Sequence, residues 1–194
     1  MHALNPLYPI FLKAAQLNFL VVGGGYVALE KLQFLFKSSP HARVTLVSPE
    51  IRPETALYIK DKNVDYVAVP YQSSFLEGRH IVIATTNVPQ VNQAIYKDCK
   101  ARHILINVAD VPDCCDFYMG GIVTKGNLKI AISTNGKSPT VAKRLRQWLE
   151  YILPEEIDAL LTVLKTYRDG LKSDFETKVK TMEKITQEFI KKND

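Results

Sequence analysis

The stretch Gly23-Gly24-Gly25-Tyr26-Val27-Ala28 has the spacing G-x-G-x-x-G/A, whose chemistry is the cradling of a dinucleotide pyrophosphate. In that pattern Gly23 permits a tight turn, Gly25 lets the backbone approach the phosphates, and Ala28 is small enough for a helix to close on a sheet. A helix opening there presents unpaired N–H groups with partial positive charge, which suits an anion. Further along, Thr85-Thr86-Asn87 ends an apolar run with small polar side chains, leaving room for a ribose and a nicotinamide. Asn87 would serve equally well as a plain helix N-cap. One partner of the glycine pattern is missing. An Asp or Glu about 20 residues on normally accepts a hydrogen bond from the adenosine ribose, whereas here the chain reads Val47-Ser48-Pro49. Ser48, with Pro49 beside it, is the candidate for that contact, and the carboxylate of Glu50 lies two residues further on. Arg43 and Arg52 flank the position but none stands on it, which favours NAD over NADP.

A second group of residues suits proton transfer and anion binding. Asp110 follows an apolar run, Ile104-Leu105-Ile106-Asn107-Val108, at what would be the carboxyl edge of a parallel sheet, where ligands of such sheets bind. Partial burial there would raise its pKa toward use as a general acid or base; a turn aspartate in Ala109-Asp110-Val111-Pro112 is the competing reading. The polar turn Ser133-Thr134-Asn135-Gly136-Lys137-Ser138 precedes a helix whose N-terminus can receive an anion, and Ser138 also reads as that helix's N-cap. Lys143, Arg144 and Arg146 would steer a polyanion or form a solvated face. The histidines His2, His41, His80 and His103 are scattered, and Cys99, Cys114 and Cys115 lack metal-site spacing. No metal site is expected, and the thiols read as structural or incidental.

The elements that must hold these groups alternate. Phe19 to Val22 is an apolar strand, Val27 to Phe36 has helical spacing, and Val44 to Val47 is a second strand. Pro53 to Lys60 reads as helix, Val64 to Val69 and His80 to Ala84 as strands, Gln90 to Lys100 as helix, and Ile104 to Val108 as strand. Strands alternating with helices imply an α/β fold, a Rossmann-type parallel sheet covered on both faces. After Asp110 the grammar changes. Phe117 to Thr124 and Leu128 to Ser133 read as a β-hairpin about Lys125-Gly126-Asn127, followed by a helix from Thr140 to Leu149 that Pro154 interrupts. The tail reads as two helices broken at Gly170, the second with an apolar stripe of Leu171, Phe175, Val179, Met182, Ile185 and Phe189 that calls for a packing partner.

With 194 residues, 46% of them apolar, the chain can build one main domain and an extension. No apolar run approaches the roughly 18 residues that span a bilayer, and no secretory leader is evident, so a soluble cytoplasmic protein is expected. The net charge of +5 suits a dinucleotide or a substrate rich in carboxylates as well as it suits nucleic acid.

Three longer stretches add specificity. They are Tyr8 to Lys13 running on through Val21 to Lys31; Asn107 to Asp110 with Cys115-Asp116-Phe117; and Ile132 to Pro139 with Ala142 and Arg144 to Arg146. Their order over residues 8 to 150 resembles the dehydrogenase/ferrochelatase module of the siroheme synthases. Asn135 stands where that family usually has a glycine, Gly120-Gly121 follow Met119 where a proline is common, and Thr134 matches a serine that some members phosphorylate.

The resemblance implies three parts: an NAD-binding Rossmann domain over 1–112, a dimerisation region over 113–153 and a C-terminal helical region over 154–194. It implies an NAD-dependent oxidation of precorrin-2 to sirohydrochlorin, with the family's important aspartate at Asp110. Asn107, Ser133, Thr134, Lys137 and Ser138 would lie toward the tetrapyrrole, Fe²⁺ or Co²⁺ would be substrates of a chelatase step that only some members carry out, and two chains would interlock as a homodimer. No nucleic-acid or membrane partner is implied. The alternative is a module that binds NAD(H) as a sensor and does no chemistry, which a glycine loop alone does not exclude.

Overall fold

The computed structural model describes residues 5–187; Phe189 of the expected stripe and His2 lie outside them. Within these residues the chain forms two compact units, one of residues 5–120 with Ser133–Pro139 and the other of Gly121–Ile132 with residues 140–187.

The first unit is the expected parallel sheet. Its strands are β1 (Asn18–Val22), β2 (Arg43–Val47), β3 (Val64–Val67), β4 (Ile81–Ala84) and β5 (Leu105–Val108), in the order β3-β2-β1-β4-β5. Every neighbouring pair is parallel, with Val22 level with Val47 and with Ala84, and Ala84 level with Val108. The order reverses between β1 and β4, the switch point at which such sheets open a crevice.

Apolar runs form these strands because both faces are covered, and side chains alternate between the two covers. Phe19, Val21, Leu46 and Ile83 pack with Ala28, Leu32 and Leu35 of helix α1 (Tyr26–Ser38). Leu20, Val22, Val82 and Ile106 pack on the other face with Ile95 and Cys99 of α3 (Pro89–Ala101). Each fully buried aliphatic side chain contributes about 1.5–3 kcal/mol, so these two faces hold the unit together. The short helix α2 (Pro53–Ile59) starts on a proline, whose fixed φ suits the first helical turn.

One strand differs from expectation. Phe117 to Gly120 do not belong to the hairpin, which begins at Gly121. Instead Asp116 N donates to Ile106 O at 2.8 Å, Ile106 N donates to Asp116 Oδ2 at 3.1 Å, and Asn107 Nδ2 donates to Phe117 O at 2.9 Å. These bonds draw residues 115–117 alongside β5, and Phe117 and Met119 pack on the α1 side of the core.

In the second unit, β6 (Gly121–Lys125) and β7 (Leu128–Ile132) pair antiparallel through a two-residue turn. Gly126 has φ 55° there, and a side chain at that position would also strike the Asp158 carboxylate, which accepts from Asn127 N at 2.6 Å. Helix α4 (Pro139–Ile152) follows directly on Ser138, and α5 (Ile157–Gly170) and α6 (Phe175–Thr186) form the tail. Asp174 caps α6 by accepting from Thr177 N at 2.8 Å. The apolar stripe of α6 is not buried as expected: Phe175, Val179 and Ile185 are exposed and Leu171 and Met182 half-buried. None of the described helices is long and apolar enough to cross a membrane.

Candidate functional site

A cavity of about 840 Å³ opens at the carboxyl ends of β1, β2 and β4, a size typical of small-molecule sites. Its wall brings together Gly23, Gly24, Gly25, Tyr26 and Val27 with Ser48, Pro49, Thr85, Thr86 and Asn87. Ala28, the remaining member of the glycine pattern, is fully buried under α1, where only a small residue lets helix and sheet meet.

The three glycines do different work. Gly23 has φ 113°, a conformation L side chains rarely adopt, and a Cβ on it would lie 2.7 Å from Thr85 Oγ1. Gly24, to which the pattern gives no role, is clamped: a Cβ would lie 2.3 Å from Glu50 O and 2.9 Å from Ile51 Cα. The β2–α2 connection therefore lies directly on the glycine turn, and Arg52 N donates to Gly24 O at 3.0 Å. Gly25, which precedes α1 as its N-cap, faces open space with nothing within 4 Å of an added Cβ. That space, beside the free N–H groups of a 13-residue helix, is what a pyrophosphate requires, so the residues fit a dinucleotide.

The polar side chains around the turn are largely engaged with one another. Thr85 is buried, and its hydroxyl donates to Val22 O at 2.9 Å. Ser48 is buried too and donates to Glu50 O at 2.6 Å, which leaves its oxygen only as an acceptor toward a ribose. Thr86 donates to Asn92 Oδ1 at 2.7 Å and accepts from Val88 N at 3.2 Å. Val88, rather than Asn87, is the N-cap of α3, because Pro89, with its φ suited to the first helical position, opens the helix; Asn87 stays exposed on the cavity wall.

Pro70, Tyr71 and Val91 also line the cavity, and sequence reading did not single them out. The signal was present in their position just beyond β3 and early in α3, on the edge where such sheets bind ligands. Tyr71 donates its hydroxyl to Asp98 Oδ2 at 3.0 Å. Burial first, and the Asp98 carboxylate second, push its pKa well above the ordinary value, so it stays a neutral phenol.

Asp110 lies one strand over. Ala109 N donates to Ala84 O at 2.9 Å, which fastens its turn to the end of β4 immediately before Thr85. Asp110 has φ 61°, a left-handed conformation that aspartate tolerates better than most residues. It is exposed, so the partial burial expected of it is not supplied within the described residues. Asn107 is buried, and its amide serves the chain: besides Phe117 O, it donates to Cys115 Sγ at 3.3 Å. Cys115 Sγ in turn lies 3.2 Å from Val108 O, and burial pushes its pKa up. Burial, followed by the neighbouring Asp98 charge, pushes Cys99 up to about 12. Among the described residues no group of three or more His, Cys, Asp or Glu side chains is arranged to hold a metal ion.

The turn Ser133–Ser138 belongs to the same compact unit as the sheet. Thr134 Oγ1 accepts from Ser138 N at 3.2 Å and donates to Ser138 O at 3.1 Å, while Ser133 Oγ accepts from Asn135 N at 3.1 Å. Asn135, standing where the resembling family carries glycine, has φ 52°, a left-handed geometry that asparagine tolerates better than most residues. Lys137 is exposed.

Strand order, glycine turn and cavity together define a dinucleotide-binding module of the Rossmann class. The chain belongs to the family described as "Putative NAD(P)-binding", whose model matches residues 10–121; a second model, "Sirohaem biosynthesis protein central", matches residues 125–150. The chain is 35% identical to a siroheme synthase of Methylobacillus flagellatus over 87% of its own length and 36% of that protein's. It is 35% identical to a siroheme synthase of Baumannia cicadellinicola over 84% and 35%. The chain thus spans about a third of the length of these relatives. Its fold is that of the solved structure titled "SirC, precorrin-2 dehydrogenase", with a TM-score of 0.71 and 23% identity over 95% of this chain and 90% of that one.

Proposed function

We propose that this chain oxidises precorrin-2 to sirohydrochlorin with NAD⁺, a step of siroheme formation. The observation that carries the reading is the bond from Ala109 to Ala84, which fastens the Asp110 turn to the strand end whose next residue, Thr85, lines the cofactor cavity. An ionisable carboxyl group and a dinucleotide cavity thus share one edge of the sheet. The relatives named siroheme synthase and the match to the central sirohaem-biosynthesis model support the substrate class.

Bound NAD⁺ supplies a hydride acceptor. Removing two hydrogens from the macrocycle then requires a base for the accompanying proton, and Asp110 is assigned that role, releasing the proton to solvent. Gly25 would leave room for the pyrophosphate, Ser48 and Pro49 would border the ribose, and Thr85, Thr86 and Asn87 would border the nicotinamide end. The exposed Lys137, with Ser133, Thr134 and Ser138 around it, is assigned to the carboxylate arms of the substrate. Asn107 takes a supporting role, since its amide is engaged in holding residues 115–117.

We assign residues 1–112 to cofactor binding, 113–153 to dimerisation and 154–194 to a helical region. Leu145, Trp148 and Ile152 lie exposed at helical spacing on α4, which supports a homodimer. Three free cysteines agree with a reducing cytoplasm.

Anaerobic incubation of the protein with precorrin-2 and NAD⁺ tests the reading. NADH and the absorbance of sirohydrochlorin should appear together in equal amounts. Failure of both, with cofactor binding intact, overturns it in favour of a sensor module. A parallel incubation with sirohydrochlorin and Fe²⁺ or Co²⁺ reads chelation, and sedimentation reads the dimer.

A further inference from the structure

Arg52 is the one arginine or lysine on the cavity wall among the described residues. Its guanidinium carbon lies 3.6 Å from the centroid of the Tyr26 ring, and Nη2 donates to the Tyr26 hydroxyl at 2.7 Å. Backbone bonds fix both partners: Tyr26 opens α1, and Arg52 N is hydrogen-bonded to Gly24 O. The cation is therefore anchored to the glycine turn at its main chain and again at its side chain.

Its carboxylate neighbour does not use it up. Glu54 Oε1 accepts from Nη2 at 3.3 Å, a long bond, and Glu54 Oε2 lies 3.3 Å from Nε as an ion pair. Nε is nevertheless buried without a hydrogen-bond partner, because that approach lacks the geometry of one. Glu54 does not line the cavity, whereas Arg52 does. The other charged residue on the wall, Glu50, is exposed, and the position after β2 that would bear a ribose-binding carboxylate is Ser48. A planar guanidinium stacked on an aromatic ring loses little freedom on binding, and phosphate oxygens match its fork of donors.

We propose that Arg52, held by Tyr26, contacts a phosphate of the bound dinucleotide. The inference rests on the dinucleotide reading of the cavity and deepens it. Two phosphates offer the same chemistry: the pyrophosphate shared by NAD⁺ and NADP⁺, beside which the bond to Gly24 holds Arg52, and the 2′-phosphate of NADP⁺, which an arginine near the end of the second strand accommodates.

Calorimetric titration of the whole chain with NAD⁺, NADP⁺, 2′,5′-ADP and adenosine separates the two. Arg52→Ala should weaken phosphate-bearing ligands roughly ten- to a hundredfold, with adenosine changed less than about twofold, and Arg52→Lys should recover part of the loss. A loss shared by NAD⁺ and NADP⁺ assigns Arg52 to the pyrophosphate. A loss confined to NADP⁺ and 2′,5′-ADP assigns it to the 2′-phosphate, and the unaltered protein then binds NADP⁺ within about tenfold of NAD⁺. Unchanged affinities for all ligands in Arg52→Ala, or an equal loss for adenosine, overturn the proposal while leaving the dinucleotide site standing. Absence of any dinucleotide binding to the unaltered protein overturns the site and the proposal together.

Discussion

Around the glycine turn most polar side chains already have partners: Thr85 is bonded to Val22 O, Ser48 to Glu50 O, and Thr86 to the start of α3. At the Asp110 turn, one strand away, the groups facing outward are exposed, and the backbone instead carries the constraint, with φ 61° at Asp110 and 52° at Asn135 in the other exposed turn. The first region is shaped by packing before any ligand arrives. The second is shaped by left-handed backbone in two loops that present Asp110 and Lys137 to solvent. A cofactor with a fixed phosphate geometry suits a rigid cradle. A large, flexible polyanion suits exposed groups on a positioned loop, and loops on a rigid scaffold are where such residues usually lie.

The sharpest way to break this contrast is to change the exposed group and leave the cradle alone. Asp110→Asn should lower kcat by roughly 10²–10⁴-fold, the range for losing a general base, while NAD⁺ affinity stays unchanged because no cradle atom moves. Turnover and titration read the two effects separately. Normal turnover in the Asp110→Asn variant would move the base to another residue and remove the functional meaning of the left-handed turn. Asparagine tolerates the same φ, so the variant tests chemistry rather than backbone.

Next in size is the difference between neighbouring glycines. Gly24→Ala would place Cβ 2.3 Å from Glu50 O, between two backbone segments that are hydrogen-bonded to each other. Overpacking of that kind costs about 1–3 kcal/mol or more, so both the melting temperature and cofactor affinity should fall. Gly25→Ala meets nothing within 4 Å, so the free protein should melt as before. Only the affinity should drop, by about tenfold or more, because the methyl stands where the pyrophosphate approaches. Equal melting temperatures for the two variants would mean that the β2–α2 connection does not rest on the glycine turn in solution.

The contrast also explains which features could be read from the residues alone. The alternation of strands and helices was legible because burial on both faces imposes apolar runs, and the jobs of Gly23, Gly25 and Ala28 follow from spacing. Gly24's constraint was not legible, since it comes from a connection some 25 residues away folding back onto it, as in the bond from Arg52 N to Gly24 O. Residues 117–120 looked like strand by composition and lost that role to Asp116 and Asn107, whose side chains bind the backbone of a neighbouring segment, which no local pattern records. The exposure of Asp110 was missed for a related reason. Strand ends are easy to find, but the depth of the following turn depends on how residues 115–117 return.

That return supplies the smallest test, at the outer clasp of the Asp110 turn. Lys100 Nζ donates to Asp116 Oδ1 at 2.6 Å while Ile106 N donates to Oδ2. Asp116→Ala strips both bonds and leaves the buried Ile106 amide without its side-chain acceptor, a loss of about 1–3 kcal/mol that denaturant unfolding should read. The loosened turn should lower kcat with little change in NAD⁺ affinity. Asp116→Asn can keep the acceptor for Ile106 and loses only the ion pair. The hydrogen bond to Asp116, with the charge of that carboxylate behind it, holds the Lys100 pKa above its ordinary 10.5. A lysine raised in the folded state binds its proton more tightly there than in the unfolded chain, so its contribution is complete below pH 10.5 and disappears as pH climbs through the folded value. As pH rises above 10.5 the unaltered protein should therefore lose slightly more stability than Asp116→Asn, other titrating groups being common to both. Identical alkaline slopes would show that the ion pair does not clasp the turn, and that the bonds of Asp116 and Asn107 to neighbouring backbone hold it unaided.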